Sequence, residues 1–145
     1  TDHVKGDPEC SFIELTSEED VIERADVLSL HCSLNAQDTR MMNAESFARM
    51  KRGAMFVNVT RGGLVEEAAL ADALKSGHLA GAGVDVTSKE PLPMNSPLRS
   101  APNIVITPHM AWYSVQAESN LKTRCAEEAV RGFRGEKPRC PVNKL

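Results

Sequence analysis

Aromatic side chains make up only 4% of the 145 residues, with one tryptophan, one tyrosine and four phenylalanines. Aliphatic and alanine packing must therefore supply most of a core, and the length suits a single domain with a real interior. Neither sign of charge dominates: the formal net charge is -3, which gives no reason to expect nucleic acid or an anionic membrane as partner. No apolar run approaches the length of a membrane span. The first residues, TDHVKGDPE, are too polar and acidic for a secretory signal. Cysteine is sparse and scattered: Cys10, Cys32, Cys125 and Cys140 form no C-x-x-C and have no histidine cluster nearby. That spacing argues against a disulfide or zinc framework, predicts no metal site, and points to a reducing compartment such as the cytoplasm. The terminal Asn143-Lys144-Leu145 only loosely echoes the peroxisomal Ser-Lys-Leu address. No internal repeat or low-complexity stretch is visible.

What is present is an alternation of short apolar runs and amphipathic segments. Residues 11–16, SFIELT, alternate in polarity and predict a short strand. Ser17 can cap a following helix whose first turn holds Glu18, Glu19 and Asp20, the charge sign a helix N-terminus favours. ADVLSLHC predicts a strand from Asp26 to about His31. Asn43 can cap a second helix carrying Phe47 and Met50 on one face, ended by Lys51-Arg52-Gly53. AMFVNV, residues 54–59, is a third strand, and VEEAALADALKSG a third helix with Gly77 just beyond it. AGAGVDV, residues 80–86, is apolar enough for a buried strand. A proline-rich loop leads to NIVIT, a fifth strand, and a last helix runs from near Ser114 to Phe133. Strands alternating with helices of about ten residues predict βαβ units, a parallel sheet and a doubly wound α/β architecture.

Open parallel sheets bind ligands where the chain leaves the carboxyl ends of the strands. Those positions hold Cys32-Ser33-Leu34-Asn35, Thr60-Arg61-Gly62-Gly63, Asp85 with nearby Glu90, and Pro108-His109. Each residue also has a bland reading. Arg61 can be a solvated loop arginine, Asp85 a strand-end cap, Glu90 a surface acid, and His109 a structural histidine. Gly62-Gly63 tips the first, because glycines let a backbone approach a ligand closely. Asp85, a carboxylate near a buried strand, needs a partner. Together the four make a coherent carbonyl-reduction site. A guanidinium can grip a carboxylate with two hydrogen bonds and polarise an adjacent carbonyl. Histidine changes charge near neutral pH and can give a proton to the carbonyl oxygen as hydride reaches carbon. A carboxylate on the other ring nitrogen, with Glu90 the candidate, would fix the tautomer and favour imidazolium. Cys32, Ser33 and Ser114 show no base partner that would make a nucleophile.

At these residues the chain resembles the D-isomer-specific 2-hydroxyacid dehydrogenases, over nearly its whole length from Asp2 onward. VNVTRGGLVEEAAL is similar to that family's arginine signature, GAGVDVTSKEPLP to its acid signature, and TPHMAWYS to its histidine signature. The resemblance implies Arg61, Glu90 and His109 as the catalytic trio. Around the cofactor it implies Asp85 at the nicotinamide carboxamide, with Cys32, Ser33, Leu34 and Thr60 along the nicotinamide half. Asp2 falls at the adenine-side ribose, where an acid favours NAD over NADP, with NADP left open. AWYS and the tail CPVNK resemble the subgroup around the C-terminal-binding proteins, and the tryptophan also fits the glycerate and hydroxypyruvate reductases. Trp112 can wall the substrate pocket or pack on the last helix. Thr87 stands where a phenylalanine is common in the family, and Glu66 where aspartate is usual.

No G-x-G-x-x-G is present; Gly77, Gly81 and Gly83 are wrongly spaced and lead into a strand. The expectation is a partial Rossmann-type sheet. Residues 1–110 would be the C-terminal part of a NAD(P)-binding domain, and 111–145 a crossing helix and tail toward a separate substrate domain. The parent would be a homodimeric oxidoreductase acting on a small 2-hydroxy or 2-keto acid, with the isolated chain poorly active. The alternatives are an NAD(H)-dependent assembly module of the C-terminal-binding-protein type and a non-functional truncated fragment.

Overall fold

The computed structural model describes residues 11–35 and 39–141; Asp2, Cys10 and the terminal Asn143-Lys144-Leu145 lie outside the described residues. Two compact units are present, divided between His109 and Met110.

In the first unit, α1 (Glu18–Arg24), β1 (Val27–Leu30), α2 (Ala44–Arg49), β2 (Met55–Asn58), α3 (Glu67–Lys75), β3 (Gly81–Val84) and β4 (Ile104–Ile106) follow one another. The four strands pair in chain order, β1-β2-β3-β4, and every pairing is parallel. A sheet that grows in one direction by right-handed crossovers carries its connecting helices on one face. It is one wing of a doubly wound sheet. Burial follows suit: Leu28 and Leu30 of β1, Phe56 and Asn58 of β2, and Ala82 and Val84 of β3 are buried. Their neighbours Val27 and Met55, and Val105 of β4, are half exposed or more. The core is mainly aliphatic, as the composition requires, around one edge-to-face pair, Phe47 and Phe56, with centroids 5.2 Å apart.

Local signals explain the helices. The Ser17 hydroxyl accepts the Asp20 N–H at 3.2 Å, and the Asn43 side-chain Oδ1 accepts those of Glu45 and Ser46 at 2.9 and 3.2 Å. Past α3, Gly77 takes φ +68 and closes a Schellman turn, with His78 N–H on the Ala73 carbonyl and Gly77 N–H on that of Leu74, both 3.0 Å.

Two sequence expectations are corrected. Residues 11–16 form a turn and irregular chain rather than a strand, and they pair with no strand among the described residues. Alternation without a partner leaves Phe12 83% exposed. The second helix stops at Arg49, before Lys51-Arg52, because Met50 turns to an extended conformation (ψ 153) and its side chain is buried.

The second unit holds α4 (Val115–Phe133), capped by the Ser114 hydroxyl on the Ala117 N–H at 3.0 Å, with none of its residues buried. Among the described residues no helix is long and apolar enough to cross a membrane.

Candidate active site

β2 ends in a polar residue within the otherwise apolar run AMFVNV. Asn58 is fully buried, and its side chain organises the loop that follows. Its carbonyl oxygen accepts the Thr60 N–H at 3.0 Å and the Thr60 hydroxyl at 2.9 Å, while its amide donates to the Arg61 carbonyl at 3.0 Å. The Arg61 side chain is exposed and donates to the Thr60 carbonyl at 2.7 Å.

Gly62 and Gly63 have a use that the sequence does not show. A Cβ on Gly62 would lie 2.0 Å from the carbonyl carbon of Thr87 and 2.4 Å from the Ser88 nitrogen. A Cβ on Gly63 would lie 2.9 Å from the Leu34 side chain. The space is filled by the chain's own backbone and by Leu34. The loop after β2 thus lies flat against the loop after β3.

Beyond β3, Asp85 is only 4% exposed. Its carboxylate accepts the Thr107 hydroxyl at 2.5 Å, its N–H donates to the Asn58 carbonyl at 2.9 Å, and its carbonyl accepts the His109 N–H at 2.8 Å. That last bond helps hold His109 at φ +54, a left-handed conformation that costs a non-glycine residue on the order of 1 kcal/mol.

The held backbone presents His109 to Glu90. The ring Nδ1 and the Glu90 Oε2 are 2.8 Å apart, and Glu90 Oε1 accepts the Thr87 N–H at 3.1 Å. Both contacts favour the carboxylate form. The histidine bond first, and the Thr87 N–H second, hold the Glu90 carboxyl below its ordinary value. A cleft of about 890 Å³ opens beside the pair. Its walls include Asp85, Leu98, Arg99, Ile104 and Ile106 with Glu90 and His109; Arg61 is not among them.

The structure therefore gathers His109, Glu90 and Asp85 at one edge and joins the Arg61 loop to them through Gly62 and Thr87. Cys32, Ser33 and Leu34 follow β1 on the same edge; Cys32 is exposed, with its Sγ 3.7 Å from the Met41 sulfur. Trp112 belongs to the second unit, where its ring meets Tyr113 edge-on at 5.6 Å. No group of three or more metal-ligating side chains occurs among the described residues. Chemically, a nearly buried carboxylate at the strand ends suits an amide donor such as a nicotinamide carboxamide.

Such an edge, on a parallel sheet and bearing a histidine–carboxylate pair, defines a class: α/β domains that place a nucleotide cofactor against an acid/base group. The model of the D-isomer specific 2-hydroxyacid dehydrogenase NAD-binding domain matches residues 2–111, and the chain belongs to that family. It is 36% identical over 132 residues to a glyoxylate reductase of Thermofilum pendens, covering 91% of this chain and 39% of that relative. A NAD-complexed D-isomer specific 2-hydroxyacid dehydrogenase from Lactobacillus delbrueckii ssp. bulgaricus superposes with a TM-score of 0.81 at 32% identity. That match covers 94% of this chain and 46% of the other. A family enzyme from Xanthobacter autotrophicus Py2, in complex with NADPH and MES, gives 0.70 at 36% identity over 86% of this chain and 51% of its own. The chain spans about half, or less, of the length of these proteins.

Proposed function

We propose that this chain supplies the acid/base and nicotinamide-side groups of an NAD(H)-dependent reductase of small 2-keto acids, running in reverse on D-2-hydroxy acids. The observation that carries the reading is the 2.8 Å contact between His109 Nδ1 and Glu90. It commits one ring nitrogen to an orienting carboxylate and leaves Nε2 to serve substrate.

When bound, the dinucleotide supplies hydride to the carbonyl carbon. His109 Nε2 gives its proton to the carbonyl oxygen as that oxygen gains charge, and takes it back from the hydroxyl in the reverse direction. Glu90 stabilises the imidazolium and fixes its tautomer. Arg61 turns from the Thr60 carbonyl to grip the substrate carboxylate and polarise the carbonyl. Asp85 would hold the carboxamide of the nicotinamide, and Thr60 and residues 32–34 would line the cofactor's inner half; Asp2, the resemblance's candidate for the adenine-side ribose, lies outside the described residues. Residues 111–145 lead toward a substrate domain, and the whole protein is a cytoplasmic homodimer.

Steady-state reduction of glyoxylate and hydroxypyruvate by the protein as the cell makes it tests this reading. His109→Gln is expected to lower kcat by roughly 10²–10⁴-fold, whereas Arg61→Ala should act more strongly on KM. A His109→Gln protein that keeps its kcat sinks the assignment.

A further inference from the structure

We propose that Glu67, in the first turn of α3, is a positioning residue for the His109–Glu90 pair. The proposal rests on reading that pair as the acid/base unit.

An acid at this point of a helix needs no explanation beyond the helix dipole, but the Glu67 carboxylate faces another segment of chain. Its Oε1 accepts the Ser88 N–H at 2.7 Å and the Ser88 hydroxyl at 2.8 Å, and its Oε2 accepts the Ser96 hydroxyl at 3.3 Å. The bonds span 21 and 29 residues of sequence. Glu90 lies between the two serines. It is anchored on the Thr87 N–H, one residue before the first of them. The same segment is pinned at its far side by Arg99, whose guanidinium donates to the Leu92 and Pro93 carbonyls at 2.8 and 2.9 Å. Thr87 itself rests against Gly62. Of these ties, only Glu67 joins a regular element of the first unit to both ends of the segment that bears Glu90. Charge-assisted bonds of this kind are strong enough to hold an exposed loop in one geometry. Without them Glu90 can still form its bond to Thr87 but no longer meets His109 at a fixed distance.

The test reads Glu90 through its neighbour. The Thr87 amide donates to the Glu90 carboxylate, so its resonance titrates with that group. Amide spectra of the full 145-residue chain are recorded through acid pH for wild type, Glu67→Ala and Glu67→Gln. In wild type the Thr87 inflection is expected below the ordinary carboxylate value, in keeping with the two bonds Glu90 accepts. Glu67→Ala is expected to move it upward and to speed exchange of the Ser88 amide by roughly tenfold or more, the loss of one charge-assisted bond. Glu67→Gln keeps an acceptor for Ser88 and should fall between the two. A Thr87 inflection that does not move, in a Glu67→Ala chain whose α3 amides stay protected, overturns the proposal. Should the alanine variant not fold, the glutamine variant carries the comparison, and an unmoved inflection there overturns it equally. The readout does not depend on turnover, so failure of the reductase reading and failure of this one are separate results.

Discussion

Replacing Gly62 with alanine probes the joint that holds the site together. The added Cβ would stand 2.0 Å from the Thr87 carbonyl carbon, 2.2 Å from its oxygen and 2.4 Å from the Ser88 nitrogen. All three are backbone atoms, so no side chain can swing aside, and one loop must retreat by more than about 1 Å to restore van der Waals contact. Overpacking of this kind costs about 1–3 kcal/mol, and a backbone obstacle places the cost at or above the upper end. With a urea dependence of about 1–3 kcal/mol per molar, the unfolding midpoint should fall by about 1 M or more. The retreat also carries Thr87 away from Glu90, so the Thr87 amide resonance should shift. Gly83→Ala is the control, since a Cβ there meets nothing within 4 Å. A Gly62→Ala chain that unfolds with wild type, its Thr87 amide unmoved, would refute the reasoning.

Other perturbations have directions set by the same geometry. Glu66 occupies the N-cap of α3 without a side-chain capping bond; aspartate is one methylene shorter and caps well, so Glu66→Asp should raise stability by about 1 kcal/mol in urea unfolding. Glu90 has its carboxyl lowered by His109 and Thr87, so its contribution to stability is present above the ordinary carboxylate value and lost as pH falls through the lower folded value. The stability gap between wild type and Glu90→Gln, followed by urea midpoints, should therefore close on acidification. Phe56→Ala removes a fully buried ring from the edge-to-face pair and should cost about 3–5 kcal/mol, against a near-neutral effect for Val27→Ala on the exposed face. Asn58→Ala strands the Thr60 N–H and Arg61 carbonyl that it satisfies and should destabilise by about 1–3 kcal/mol.

The alternation of elements is legible because capping is local. Ser17, Asn43 and Ser114 announce helix starts within three residues of the bonds they make, and Gly77 closes α3 within one turn. Strands are less self-contained. Alternation in 11–16 looks like a strand, yet a strand needs a neighbour, and none pairs with it among the described residues. The chemistry-bearing residue types can be found from the strand-end rule, which points to Asp85 and His109 without reference to any relative. Their fastening cannot. The atoms that fill the space above Gly62 come from residues 87 and 88, and the bonds of Glu67 reach residues 88 and 96. Sequence distance hides both, so Gly62 reads as room for a ligand and Glu67 as helix-start charge. Asn58 does leave a signal, a lone amide in the apolar run AMFVNV, where a buried polar group must be satisfied by something nearby. The left-handed backbone of His109 leaves none, since Pro108 before it and Met110 after it are compatible with many conformations.

The most direct test is hydride transfer from NADH to glyoxylate or hydroxypyruvate by the whole protein, in wild type and His109→Gln forms. Turnover by wild type, with kcat lower by roughly 10²–10⁴-fold in the variant, is the expected result. Absence of turnover on every 2-keto acid tried, with NADH instead driving oligomerisation, would contradict it and mark the sheet as a nucleotide-dependent assembly module.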